Sequence, residues 1–214
     1  MDKKEASVII PDGNVMLPGI LEIPPGAVGI VIFAHGSGSS RFSPRNTYVA
    51  QVLRKHGLGT LLMDLMTPQE DRDYDRRFDI ALLTRRLLAA TKWIKEQENT
   101  RGFSIGYFGA STGAAAAVEA AAALGDEIGA VVSRGGRPDM ALPYLDRVKS
   151  PTLLIVGGHD YTVVELNEKA YEKITAVKEL KIVPRAGHLF EERGALESVA
   201  ELASAWFEKY LVEK

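Results

Sequence analysis

One pentapeptide in the 214-residue chain has the composition of a covalent catalyst: Gly109-Ala110-Ser111-Thr112-Gly113. A serine hydroxyl acts as a nucleophile when a tight strand-to-helix turn projects it from a sheet and a nearby base takes its proton. The backbone of such a turn is strained, commonly left-handed for a residue other than glycine. Strand and helix nearly touch there, so the residues two before and two after the serine must be tiny. Gly109 and Gly113 hold those positions, and Ala114 to Ala117 continue the close packing. The competing reading is a glycine-rich turn with a capping serine. The apolar stretch before it and the alanine-rich stretch after it favour the strained turn.

The base must be one of four histidines. His56 precedes Gly57 at a helix end, where a histidine complements the helix dipole. His35 follows an apolar strand and opens a glycine–serine loop, a place for holding loops together. His159 adjoins a candidate acid, and adjacent side chains point apart. His188, in Arg185-Ala186-Gly187-His188-Leu189-Phe190, falls between the last strand and the last helix, which puts it at the edge that carries Ser111. The orienting acid should lie between serine and histidine in sequence. Asp160 ends the loop Gly157-Gly158-His159-Asp160 directly after an apolar strand; Asp126, Asp139 and Glu165 do not follow a strand end in this way. Donors for a developing oxyanion are the amide of Thr112 and one amide of the loop His35 to Ser40, for which Ser37 is the choice.

These residues need a scaffold, and the chain alternates as one should. Val8-Ile9-Ile10 and Val15 to Ile23 flank Pro11-Asp12-Gly13-Asn14 and read as an antiparallel hairpin, with Pro18 arguing that the second run is an edge strand. Gly29 to Ala34 is continuously apolar, as in a strand buried on both faces. Ser43-Pro44 suits a helix start, and that helix carries Val49, Val52 and Leu53 inward before Gly57. Further strands are expected at Gly59 to Met63, Phe103 to Phe108, Ile128 to Val132, Thr152 to Val156 and Leu180 to Val183. Helices fit Thr112 to Leu124 and Val164 to Ile174. Two more show one apolar face at spacings of 3 and 4: Ile80, Leu83, Leu87, Ala90 and Ile94, and Leu196, Val199, Ala203, Trp206 and Tyr210. The pattern is an α/β protein with a mostly parallel sheet, helices on both faces and ligands at the carboxyl ends of the strands.

Composition excludes several alternatives. A hydrophobic fraction of 46% and a charged fraction of 25% describe a globular protein. With no cysteine there is no disulfide, thiolate metal site or cysteine nucleophile. A net charge of -2 gives no basic field for nucleic acid or anionic membrane. No apolar run approaches a membrane span or a leader segment, so a cytoplasmic location is expected. Gly36-Ser37-Gly38 opens a dinucleotide-binding fingerprint, but Arg41 stands where its third glycine belongs.

Together HGSGSS, GASTG, the Gly-Gly-His-Asp loop and Ala-Gly-His-Leu-Phe resemble the α/β-hydrolase superfamily, in its small dienelactone hydrolase-like branch, over roughly residues 6–211. The resemblance implies an eight-stranded, mostly parallel sheet with an antiparallel N-terminal hairpin, in a single domain over residues 1–214. It implies cleavage of small carboxylic esters by the triad Ser111, Asp160 and His188, without metal or cofactor. Dienelactone hydrolases carry a cysteine nucleophile, so the serine here favours a carboxylesterase over a lactone hydrolase. A non-catalytic binding protein on the same fold is a further alternative. Ser133 to Pro138 resembles bacterial relatives sometimes fused to phosphoribosyltransferase domains, and no such domain is expected within these residues. A homodimer is compatible with the resemblance. Residues 133–151 are too short for a helical cap and hold at most a short helix over Ala141 to Arg147, which implies an open site for short acyl groups. Arg41 and Arg134 are candidates to bind an acidic arm of the substrate, with Arg45 nearby; the competing role is to cross-link loops.

Overall fold

The structure, a computed structural model, describes residues 4–211. An eight-stranded sheet runs through the chain: β1 (Lys4–Asp12), β2 (Val15–Ile23), β3 (Gly29–Ala34), β4 (Leu58–Met63), β5 (Ser104–Ala110), β6 (Ile128–Arg134), β7 (Thr152–Gly157) and β8 (Lys178–Val183). Its spatial order is β1-β2-β4-β3-β5-β6-β7-β8. The hairpin β1–β2 and the β2–β4 pair are antiparallel; every later pairing is parallel. Five α-helices connect the strands: α1 (Pro44–Lys55), α2 (Ile80–Glu96), α3 (Thr112–Leu124), α4 (Tyr161–Lys173) and α5 (Ala195–Tyr210).

The period of two along each strand divides the core. From β3, Val31 and Phe33 join the apolar faces of α1 and α5, where Val49, Leu53, Val199, Ala203 and Phe207 are buried. Ile30, Ile32 and Ala34 point the other way, into a layer built by α2 and α3. That layer buries Ile80, Leu83, Leu87, Ala90 and Ile94, the residues of the predicted helical stripe. Ser43 caps α1 by accepting from the Asn46 amide with Pro44 behind it, and Asp79 caps α2 through the Leu82 amide. Both caps satisfy amides that have no intrahelical acceptor.

Two expectations need correction. Strand β2 is interior, between β1 and β4, and not an edge. Pro18 is tolerated because the ladder to β4 pairs only Gly19 to Glu22. Beyond it the Pro18 carbonyl still accepts the Asp64 amide, and the donor that proline lacks has no ladder to complete. The short helix after β6 is a 3₁₀ segment, Pro138–Arg147, broken at Ala141 and containing Pro143. Among the described residues no α-helix lies between β6 and β7.

Helix α3 packs tightly against the ends of β3 and β5. A Cβ on Gly113 would lie 2.2 Å from the Ala34 carbonyl oxygen, and one on Gly109 would lie 2.4 Å from the Ala114 Cα. Backbone cannot yield to such contacts as a flexible side chain can. Gly113→Ala is therefore expected to cost about 3 kcal/mol or more by overpacking, read as a fall in the denaturant midpoint. Gly102→Ala is the control: a Cβ there meets nothing within 4 Å. Equal midpoints for the two variants would show that α3 does not approach the sheet this closely.

Candidate active site

Ser111 stands between β5 and α3 with φ 51° and ψ -120°. A non-glycine residue in this region costs of order 1–3 kcal/mol and persists only when its surroundings dictate it. They do. The Ser111 amide donates to the Arg134 carbonyl at 3.3 Å, and its carbonyl accepts from Ala114 at 3.1 Å and from Arg137 at 3.2 Å. The turn is pinned to β6 on one side and to its own helix on the other.

His188 comes from the loop after β8. That loop is also strained, with Arg185 at φ 63° and Phe190 at φ 55°. It docks onto the end of β7, where a Cβ on Gly157 would lie 2.5 Å from the carbonyl oxygens of Ala186 and Gly187. The His159 amide donates to the Ala186 carbonyl at 2.9 Å, and Glu192 accepts the Gly187 amide at 3.0 Å. The result puts His188 Nδ1 2.6 Å from Asp160 Oδ2, with the Asp160 side chain 17% exposed. A carboxylate facing Nδ1 fixes the proton on that nitrogen and leaves Nε2 as a base. Ser111 and His188 line one pocket of about 170 Å³, together with Gly36, Ser37, Arg45 and Arg134 among others. Among the described residues no hydrogen bond joins Ser111 to His188; such contacts often tighten only around substrate.

The loop that opens at His35 is held by the ring of that histidine. Its Nε2 accepts the Leu65 amide at 3.0 Å, so the proton is on Nδ1, which donates to the Gly36 carbonyl at 3.0 Å. Burial depresses the pKa of His35, against the opposing effects of the Gly36 carbonyl, Asp64 and Asp71. The imidazole is thus a neutral strut between two loops. Ser37 lines the pocket. Its amide, however, donates to the Thr112 hydroxyl at 3.0 Å. The Thr112 amide lies in the first turn of α3 and has no intrahelical acceptor.

The three arginines part company. Arg41 is bound to Asp64 through both its amide and its guanidinium, lies over the Phe42 ring and does not line the pocket. This is the arrangement of the cross-linking role, with Asp64 answering its charge. Arg45 and Arg134 both line the pocket. Of the competing acids, Asp139 is held by Arg137 at 2.8 Å and Asp126 by Lys149 at 3.0 Å. His56 pairs with Glu208 at 2.9 Å, at the end of α1. Sequence reasoning missed Asn167, which donates to the Gly136 carbonyl at 3.0 Å, and Glu192. A buried asparagine on a helix carries no motif that points to its partner.

Residues 17–211 match the profile of the Dienelactone hydrolase family. Proteins from two strains of Mycobacterium tuberculosis are 52% identical over 97% of this chain and 47% of their own length. The chain thus spans about half the length of these curated relatives, which carry the provisional name phosphoribosyl transferase. Among solved structures, a dienelactone hydrolase from Anabaena variabilis is 55% identical with a TM-score of 0.95, covering 98% of this chain and 99% of that one. A Pyrococcus furiosus esterase, 22% identical, has the same fold with a TM-score of 0.78, covering 98% and 94%.

The His35 strut predicts how stability responds to acid. In the unfolded chain a histidine takes up a proton near pH 6.5, whereas the folded His35 stays neutral to lower pH because burial disfavours its charge. Below about pH 6.5 the unfolded state therefore binds more protons, and this group's contribution falls as pH falls. His35→Gln is expected to be less stable than the parent at pH 8 and to lose less on going from pH 7 to 5.5. Parallel stability curves for the two proteins over that range would exclude the buried neutral assignment.

Proposed function

The chain belongs to the dienelactone hydrolase family, and from that premise we propose that it cleaves small carboxylic esters through a covalent acyl-serine. The observation that carries the proposal is the 2.6 Å contact of His188 Nδ1 with Asp160, on a histidine that shares a pocket with Ser111. In this reading His188 Nε2 takes the Ser111 proton as Oγ attacks the ester carbonyl. Asp160 holds the tautomer and stabilises the imidazolium without taking the proton. The Thr112 amide donates to the tetrahedral oxyanion, and the Ser37 amide joins it by exchanging its bond to the Thr112 hydroxyl for one to the oxyanion. His188 then protonates the leaving alcohol, and water releases the acyl group by the same steps in reverse. Lactone cleavage is a second reading, favoured by the name of the Anabaena relative; the same steps would open a cyclic ester.

Pocket size bears on the substrate. About 170 Å³ is well below the roughly 300–1,000 Å³ of pockets that enclose drug-sized ligands. Esters from acetate to hexanoate are expected to be preferred over palmitate, without activation at an oil–water interface. A screen of aryl esters tests this, and a preference for palmitate would overturn it.

Ser111→Ala is expected to lower kcat on the order of 10⁶-fold with the fold intact by circular dichroism. Asp160→Asn is expected to cost on the order of 10⁴-fold through the wrong tautomer. Asp139→Asn should have little effect, because Asp139 serves Arg137. Activity surviving in Ser111→Ala, or a reversed order of the two acids, would refute the assignment.

A further inference from the structure

Two arginines line the pocket beside Ser111, and their charges are poorly answered. Arg134 ends β6 in register with Ala110, so its backbone sits next to the nucleophile. It is 7% exposed, and among the described residues its side chain makes no ion pair and no hydrogen bond; its nearest compensation is the Phe190 ring, 5.8 Å from Cζ. Arg45 meets one acid, Glu191, at 3.4 Å, and that carboxylate is 68% exposed. Arg45 is close enough to act on Arg134: burial first, and then the Arg45 charge, pull the Arg134 pKa down to about 10. Arg134 remains cationic at neutral pH.

The protein treats a comparable arginine differently. Arg86, with 1% of its side chain exposed, is clamped by Asp12 at 2.6 Å and Glu70 at 2.7 Å. That is the usual solution, because a buried charge without a partner costs several kcal/mol. Leaving Arg134 unpaired, next to a second arginine and a nucleophile, is the arrangement of a site whose counter-charge arrives with the ligand.

We propose that Arg45 and Arg134 form a subsite for a compact dianion, so that the preferred substrate is a small ester whose alcohol or acyl part bears a phosphate monoester. This rests on the esterase reading and names its substrate class. A carboxylate supplies one charge and would leave Arg45 with only its long contact to the exposed Glu191. A dicarboxylate spreads two charges over separate groups, for which a pocket of about 170 Å³ that must also admit an ester has little room. A phosphate monoester puts two charges on one tetrahedral centre and matches guanidinium forks. In the reaction the phosphate stays intact: the acyl C–O bond breaks, water adds its hydroxyl to the acyl carbon, and the alcohol takes the proton.

Two measurements test this. Calorimetric titration at pH 8 compares inorganic phosphate, sulfate and acetate binding to the parent protein, Arg45→Gln, Arg134→Gln and Arg134→Lys. Phosphate and sulfate are expected to bind, acetate much more weakly, and each glutamine variant to lose roughly tenfold or more in affinity. Arg45→Gln keeps the test valid if the buried Arg134 variants do not fold. The second measurement compares kcat/KM for 1-acetylglycerol 3-phosphate and 1-acetylglycerol. The phosphorylated ester should be favoured roughly tenfold or more, with the preference reduced in Arg45→Gln. Absence of phosphate binding, acetate binding as tight as phosphate, or affinity unchanged in Arg45→Gln would overturn the proposal. Phosphate binding that depends on Arg45 in a protein that cleaves no ester would uphold the subsite and refute the esterase reading. Phosphate binding without a preference for the phosphorylated ester would overturn the substrate assignment.

Discussion

The first turn of α3 presses on the end of β3 with no side chain between them. Gly113 lies against the Ala34 and His35 carbonyls, and this approach dictates much of the site. A chain leaving β5 has to reverse into a helix within one residue, so Ser111 takes a positive φ and its hydroxyl is driven off the sheet. The same contact sets the distance from α3 to the loop that begins at His35, where Ser37 and Thr112 meet. The alanines from Ala114 to Ala117 are all buried, and larger residues there would lift the helix and relax the turn. Strain at Ser111 is thus maintained by packing distributed over three elements, as it must be if a conformation costing of order 1–3 kcal/mol is to persist.

A second close approach repeats the device at the other side of the pocket. Gly157, at the end of β7, lets the loop after β8 lie on it, and that loop carries His188 to Asp160. Arg185 and Phe190 absorb the distortion at either end of the loop. The proposed nucleophile and the proposed base therefore stand on separate strained turns, each locked by a glycine on its strand. Neither depends on the other to hold its place, which accords with the absence of a Ser111–His188 hydrogen bond among the described residues.

Most of this scaffold was legible because it obeys periodicity. The stripes of α2 and α5, the continuously apolar strands and the pentapeptide around Ser111 state their own geometry, and the loop positions of Asp160 and His188 follow from strand order. Pro18 misled because proline reports only a missing donor; whether a ladder needs that donor depends on where β4 ends. The fate of the arginines was hidden for a similar reason. Arg41 and Arg134 look alike as loop or strand-end cations, and only three-dimensional placement gives one of them Asp64 and leaves the other, among the described residues, without an acid. Arg185 and Phe190 carry positive φ with no glycine to announce it, and Asn167 reaches Gly136 across 31 residues.

The bond from the Ser37 amide to the Thr112 hydroxyl links these features to chemistry. In the proposed reaction an oxyanion site must keep its donors aimed before substrate arrives. There the Thr112 hydroxyl would hold the Ser37 amide in place with an acceptor that is neutral and therefore weaker than an oxyanion. Exchange of one for the other would leave the hydroxyl to rotate toward a new partner, on a loop that His35 ties through Gly36 and Leu65. A residue without a hydroxyl after Ser111 would remove the bond that aims the Ser37 amide and leave that amide to water, since Ser37 is exposed. The loop would then have reason to turn that amide elsewhere, and the donor would have to be recovered during each turnover.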